Sequence, residues 1–339
     1  MGDNGTPAPP MPLAWSRSSG TSGPSLEPCR RGEPWFDDGN IILQAGDTMF
    51  KVHMGVLAKH SLVFKDLSTI PQPVDAQNHG DTPIAELHDH PKELARLLDA
   101  FYCGPIFLRN EMPDFASVTS LLRIGHKYTA ESLCEDCLGR LRKAFPLRSA
   151  FPYPFRTCEV TDHLPGFVLE DAIEVVNLAR LICAADLLPA ALYVCCQLDH
   201  RTLLHRLSPF RVNGTDRGLS LDDLERCLDG RVQLCRIYAE MSMKLFGPHD
   251  PTTNRCCTAK QACPTNKARM LESFAWPSSA CTADVMDGHL NLWMVIERAK
   301  VCESCEAAMH DTHGKVQKAV WKALPTLLRL EGVVETEAR

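Results

Sequence analysis

Apolar positions are unevenly patterned along this chain of 339 residues. Residues 1–34 carry clustered Pro, Gly and Ser in TPAPPMP and SRSSGTSGPS without apolar periodicity. Such a segment buries too little to offset the entropy of ordering, and a flexible tail is expected. From Trp35 the pattern changes. NIILQA and TMFKVH flank Gly46-Asp47 and predict a β-hairpin. In MGVLAKHSLVFKDL, Val56, Leu57, Leu62, Val63, Phe64 and Leu67 recur at helical intervals, with Ser61 placed to cap a second short helix. IAELHD predicts a third strand. After Pro91, a favoured first helical residue, Leu94, Leu97, Leu98 and Phe101 form one apolar face that Gly104-Pro105 ends. Two further helices follow near residues 115–125 and 129–145, completing a folded unit over residues 35–146.

The Pro and aromatic run FPYPF marks a linker, residues 147–169, before a helical region at 170–250. Segments 171–185 and 188–198 predict a helical hairpin with Pro189 in the first turn of its second helix. Behind Ser220 as cap, Leu221, Leu224, Leu228, Val232, Cys235, Tyr238, Met241 and Leu245 recur every three or four residues. That spacing predicts a long helix burying one stripe. Residues 251–339 form a Cys-rich helical region, with a polar loop at 248–263 and helices near 266–275 and 284–324.

Composition narrows the function classes. With 45% apolar and 23% charged residues the chain can bury a substantial core. A net charge of -6, with both signs mixed along the chain, offers no basic stripe for nucleic acid. The most apolar stretch, 178–198, is broken by Arg180, Asp186 and Pro189, so no membrane span is expected. The start MGDNGTPAPPMPLAW lacks the features of a secretory signal. A cytoplasmic or nuclear location follows, where the sixteen cysteines should be thiols or metal ligands rather than disulfides.

The cysteines carry the candidate chemistry. Cys302-x2-Cys305 can place two thiolates on one metal, and Cys257 with Cys263 supplies a second pair about forty residues earlier. Together they suggest a tetrahedral structural zinc site. Cys256, Cys281, His310 and His313 are spare donors, and CESCEAAMHDTH also allows a local site of two cysteines and two histidines; buried thiols without metal are the remaining alternative. Cys134-x2-Cys137 has redox spacing but falls within a helix, where small core residues are expected. Cys195-Cys196 reads the same way. The pairs Asp37-Asp38 and Asp222-Asp223 read as turn and helix-start residues. No phosphate loop or nucleophile elbow is present.

The run DGNIILQAGDTMFKVHMGVLAKHSLVFKDL, followed by HDHPKELARLLDAFYCG, resembles the BTB/POZ domain, especially the divergent BTB proteins of mushroom-forming fungi. DAIEVVNLARLICAADLLPAALYVCCQLD, LDDLERCLDGRVQLC and the final CESC with VWKALP are similar to the C-terminal region of those proteins, including a BACK-like helical part. The resemblance implies an α+β BTB/POZ domain, a small sheet covered by helices, followed by a mostly α-helical region. It implies a non-enzymatic interaction scaffold whose partners are proteins, including a second copy of itself. An adaptor for a cullin-type ubiquitin ligase is the alternative, and a zinc-dependent enzyme a third. The signature residues it points to are Asn40, Phe50, His53, Met54 and Tyr102. Many animal BTB dimers place an acid and a base where this chain has Asn40 and Met54. Loss of both avoids an unpaired buried charge and puts animal-type co-repressor binding in doubt.

Overall fold

The computed structural model describes residues 29–71, 78–104, 113–147, 157–204, 218–247, 257–275, 283–286, 296 and 298–330. They divide into two compact units, one up to residue 140 and one from residue 141.

The first unit is built on the expected hairpin. Strands β2 (Ile41–Ala45) and β3 (Thr48–Val52) pair antiparallel, Leu43 opposite Phe50 and Ile41 opposite Val52. Gly46 has a φ of 56°, which its lack of a Cβ makes inexpensive in the tight turn. The chain then crosses through α1 (Met54–His60) and α2 (Leu62–Thr69) and returns as β5 (Thr82–Leu87), parallel to β2. Two short edge strands extend the three expected ones. β4 (Asn78–His79) pairs with β5, and β1 (Arg30–Arg31) runs parallel to β3. The latter corrects the expected tail, because the backbone at 30–31 finds edge partners on β3 without needing an apolar pattern of its own. Residues 1–28 lie outside the described residues.

Helices α3 (Pro91–Cys103), α4 (Phe115–Lys127) and α5 (Glu131–Ala144) follow. Local chemistry sets several boundaries. The Ser61 hydroxyl accepts the Phe64 amide at 3.2 Å, capping α2, and donates to the Tyr128 carbonyl at 2.5 Å. Pro91 opens α3, and Gly104, with φ 64°, ends it. Phe50, Val52, Phe64, Leu97 and Phe101 lie in one buried cluster with Tyr128, whose ring stacks on Phe64 at 4.7 Å. The Tyr128 hydroxyl donates to Asp89 at 2.5 Å. Burial and this carboxylate push the phenol's pKa far above its ordinary value.

The second unit is helical: α6 (Thr157–His163), α7 (Ala172–Leu181), α8 (Leu188–Cys195), α9 (His200–Leu204), α10 (Leu221–Phe246), α11 (Ala262–Ala275) and α12 (Glu303–Leu327). α6 falls inside the expected linker, and Val160, Leu164 and Phe167 are buried there, so much of that segment is part of the fold. α7 and α8 pack as the expected hairpin, Pro189 in the first turn of α8. α10 packs on α8, α11 and α12.

The buried stripe of α10 differs from the expected one. Cys227, Gly230, Leu234, Tyr238, Met241 and Leu245 face the core, whereas Leu221, Leu228 and Val232 are exposed at 83%, 38% and 66%. A Cβ at Gly230 would lie 2.7 Å from Leu328 and 3.2 Å from the Cys196 sulfur. The missing side chain lets this face approach closely. Asp223 also does more than start the helix. It is 2% exposed, and Arg180 binds its two oxygens at 2.6 and 3.1 Å, tying α10 to α7.

Candidate functional site

Two constellations gather the residues singled out from the sequence, one in each unit. In the first, Asn40 precedes β2 while His53 and Met54 leave β3 and enter α1. The Asn40 side-chain oxygen accepts the Met54 amide at 2.8 Å. This supplies the helix start that His53, the residue at the cap position, leaves without a side-chain bond of its own.

His53 is occupied on both sides. Its amide donates to the Tyr102 hydroxyl at 2.9 Å, and its Nδ1 lies 2.9 Å from the same oxygen. The hydroxyl can give its own proton to Nδ1 when the imidazole carries its proton on Nε2. Nε2 faces the Asp38 carboxylate at 3.3 Å and donates to it. This hydrogen bond holds the Asp38 carboxyl below its ordinary value. Burial raises the Tyr102 phenol. Phe36 stacks on Tyr102 at 4.5 Å. With both ring nitrogens engaged, His53 fastens the end of the hairpin to the end of α3. Phe50, on the same strand, is 2% exposed and belongs to the core rather than to a surface. The role of Asp38 was hidden in a turn pair; only its approach to His53 distinguishes it from Asp37.

In the second unit, Cys257 precedes α11, Cys263 lies in its first turn, Cys302 is the cap residue of α12 and Cys305 lies in the first turn of that helix. Their four sulfurs all lie within 4.8 Å of one another. Cys302 and Cys257 are 3.8 Å apart. A tetrahedron with metal to sulfur bonds of ~2.3 Å has edges of about 3.8 Å, so the cluster has the size for one zinc-like ion. Cys263 and Cys305 are 1% exposed and Cys257 8%. Ala259 and Val301 pack against them.

The surroundings favour the thiolate at Cys302 and oppose it at two of its neighbours. The Cys302 amide donates to the Cys263 sulfur at 3.2 Å. The amides of Cys305 and Thr258 hold the Cys302 thiol down at about 5, whereas burial pushes Cys263 and Cys305 up. Two helix N-termini, those of α11 and α12, add positive potential. Asn266 donates to the Lys300 carbonyl at 2.8 Å, fixing the approach of the chain to Cys302. Lys267, one turn beyond Cys263, is 5% exposed. Its charge favours the anionic form of Cys305.

The expected pairs therefore converge. His310 and His313 do not join them: both lie farther along α12, and the cluster comprises the four cysteines alone among the described residues. Cys256 and Cys281 lie outside the described residues. Cys134 and Cys137 sit on α5, with Cys137 and the pair Cys195-Cys196 buried, as expected of packing residues. The described cysteines form no disulfide. Among the described residues no helix is long and apolar enough to cross a membrane.

Comparison with known proteins bears on the first unit. No curated protein and no solved structure matches the chain. The family model of the BTB/POZ domain matches residues 36–144, the span that carries the hairpin, the His53 to Tyr102 fastening and helices α1 to α5. Residues 36–144 are a BTB/POZ domain, a family of protein-protein interaction modules that is generally non-enzymatic, followed here by a mostly helical region.

Proposed function

We propose that this chain is a non-enzymatic interaction scaffold acting in the cytoplasm or nucleus. The BTB/POZ unit provides the association surface, and the helical unit, closed by a structural zinc on Cys257, Cys263, Cys302 and Cys305, presents a second surface to protein partners. The observation that carries this reading is the BTB/POZ domain at residues 36–144. The likeness of the flanking sequence to the divergent fungal BTB proteins supports extending it to the whole chain. Bound zinc would supply a rigid cross-link and no water-derived nucleophile, because four sulfur ligands close the coordination shell. That disfavours a zinc-dependent enzyme at this centre.

Affinity purification of the full chain from its native cell, followed by mass spectrometry, tests the proposal. A reproducible partner set is expected, of which the part held by the BTB/POZ unit is lost with Phe50→Ala. Recovery of the same proteins with both baits would overturn it, and enrichment of a cullin would promote the adaptor alternative.

A further inference from the structure

Among the described residues Lys267 is the one lysine or arginine that is buried, at 5% exposed. A lysine is almost never found in such a place unless its charge is paired, because the ammonium loses its hydration on leaving water. Yet among the described residues no side-chain hydrogen bond or ion pair reaches this ammonium. The two acids in the first turn of α12 are otherwise disposed: Glu303 is exposed, and Glu306 faces His310 at 3.8 Å. What Lys267 does meet is the cysteine centre. It follows Cys263 by four residues and so shares that residue's face of α11, and its charge acts on Cys305 of α12.

We infer that Lys267 is the counter-ion of the metal centre, the residue that lets four thiolates hold a divalent cation away from water. The inference rests on the reading of Cys257, Cys263, Cys302 and Cys305 as metal ligands, and adds what selects the charge of the ion. Four thiolates around one divalent ion leave two negative charges in excess. Cys257, Cys263 and Cys305 are buried, so water screens little of that excess. The Lys267 ammonium removes one unit. The starts of α11 and α12, each equivalent to about half a positive charge, offset most of the other. The absence of a carboxylate partner for Lys267 fits this role, since an acid beside it would cancel the charge that the thiolates need. A monovalent ion would leave the centre negative and a trivalent one would leave it positive, so the surroundings match a divalent ion. Neighbours of metal ligands alter affinity by about 10- to 100-fold, and this one does so through its charge.

The test compares the full chain with Lys267→Met, which keeps the length of the side chain and drops its charge, and with Lys267→Arg, which keeps the charge in another shape. Zinc affinity is measured by competition with a chromophoric chelator, and cobalt(II) is added to each metal-free chain to read the sulfur-to-metal charge-transfer band. Lys267→Met should bind zinc at least about tenfold more weakly. Its cobalt band should move to longer wavelength, because a positive charge beside the sulfurs lowers the energy of their electrons and its loss raises it. Lys267→Arg should keep most of the affinity and the wild-type band. Equal affinity in Lys267→Met would overturn the counter-ion role and leave the metal centre standing. Weaker binding with an unshifted band would assign Lys267 to packing and overturn it too, as would a Lys267→Arg band displaced as far as that of Lys267→Met. A wild-type chain that takes up neither zinc nor cobalt would overturn the metal centre itself, and this inference with it.

Discussion

The Asn40 side-chain oxygen takes the Met54 amide at 2.8 Å, so the two positions where many BTB dimers carry opposite charges are joined here by a neutral hydrogen bond. The bond caps α1 from outside its own sequence. Asn40→Ala leaves that amide without its acceptor and should cost about 1 kcal/mol of BTB/POZ unit stability, measured by denaturant unfolding. An unchanged midpoint would show that water replaces the cap without penalty.

The same pair predicts how the BTB/POZ unit self-associates. Neither residue carries a charge, so a dimer centred there should be held by apolar contact and should vary little with ionic strength. Sedimentation of the chain across a salt series checks this. Steep dissociation with rising salt would count against it.

Phe50 is 2% exposed and faces Leu43 across the hairpin. Phe50→Ala removes a large side chain from a cluster that cannot collapse fully, and should cost ~3 to 5 kcal/mol. Its unfolding midpoint should fall well below that of the wild type.

For the cysteine centre, protein purified without added zinc should contain one zinc per chain. Cys302→Ser should lower the stability of the helical unit while leaving BTB/POZ unfolding unchanged, since a structural zinc contributes on the order of 10 kcal/mol in small peptides. Cys302 is the least buried of the four, so without metal the same change would matter little. A chelator should reproduce the variant's loss in the wild type and add nothing to the variant.

Asp223 gives the helical unit a signature in acid. Burial would raise its carboxyl, but Arg180, Ser220 and Arg226 together hold it below the ordinary value of 3.8. The folded value is the lower one, so this ion pair stabilises fully above about pH 3.8 and the stabilisation is lost as pH falls through the folded value. Arg180→Ala should cost about 2 kcal/mol at neutral pH, since Arg226 remains at 3.2 Å. The difference between variant and wild type should shrink below pH 3.8. A difference that persists there would mean that Arg180 acts through packing instead.

The features legible in the sequence are those that neighbours along the chain impose. The Gly46-Asp47 turn, the Ser61 cap, Pro189 in the first turn of α8 and the apolar face Leu94, Leu97, Leu98 and Phe101 all depend on residues a few positions apart, and all are present in the fold. The spacing of Cys302 and Cys305 likewise marked a ligand pair. The sequence favoured Cys257 and Cys263 as its complement but left His310 and His313 open; excluding them required the tertiary structure, which brings the starts of α11 and α12, both packed on α10, to one place. Helix α10 shows the limit most clearly. Its sequence carries an apolar line through Leu221, Leu228 and Val232 and another through Cys227, Leu234 and Tyr238, and helical periodicity ranks neither above the other. The neighbouring helices decide: Gly230 lets Leu328 and Cys196 approach one side of α10, so that side packs and the leucine line is left facing outward.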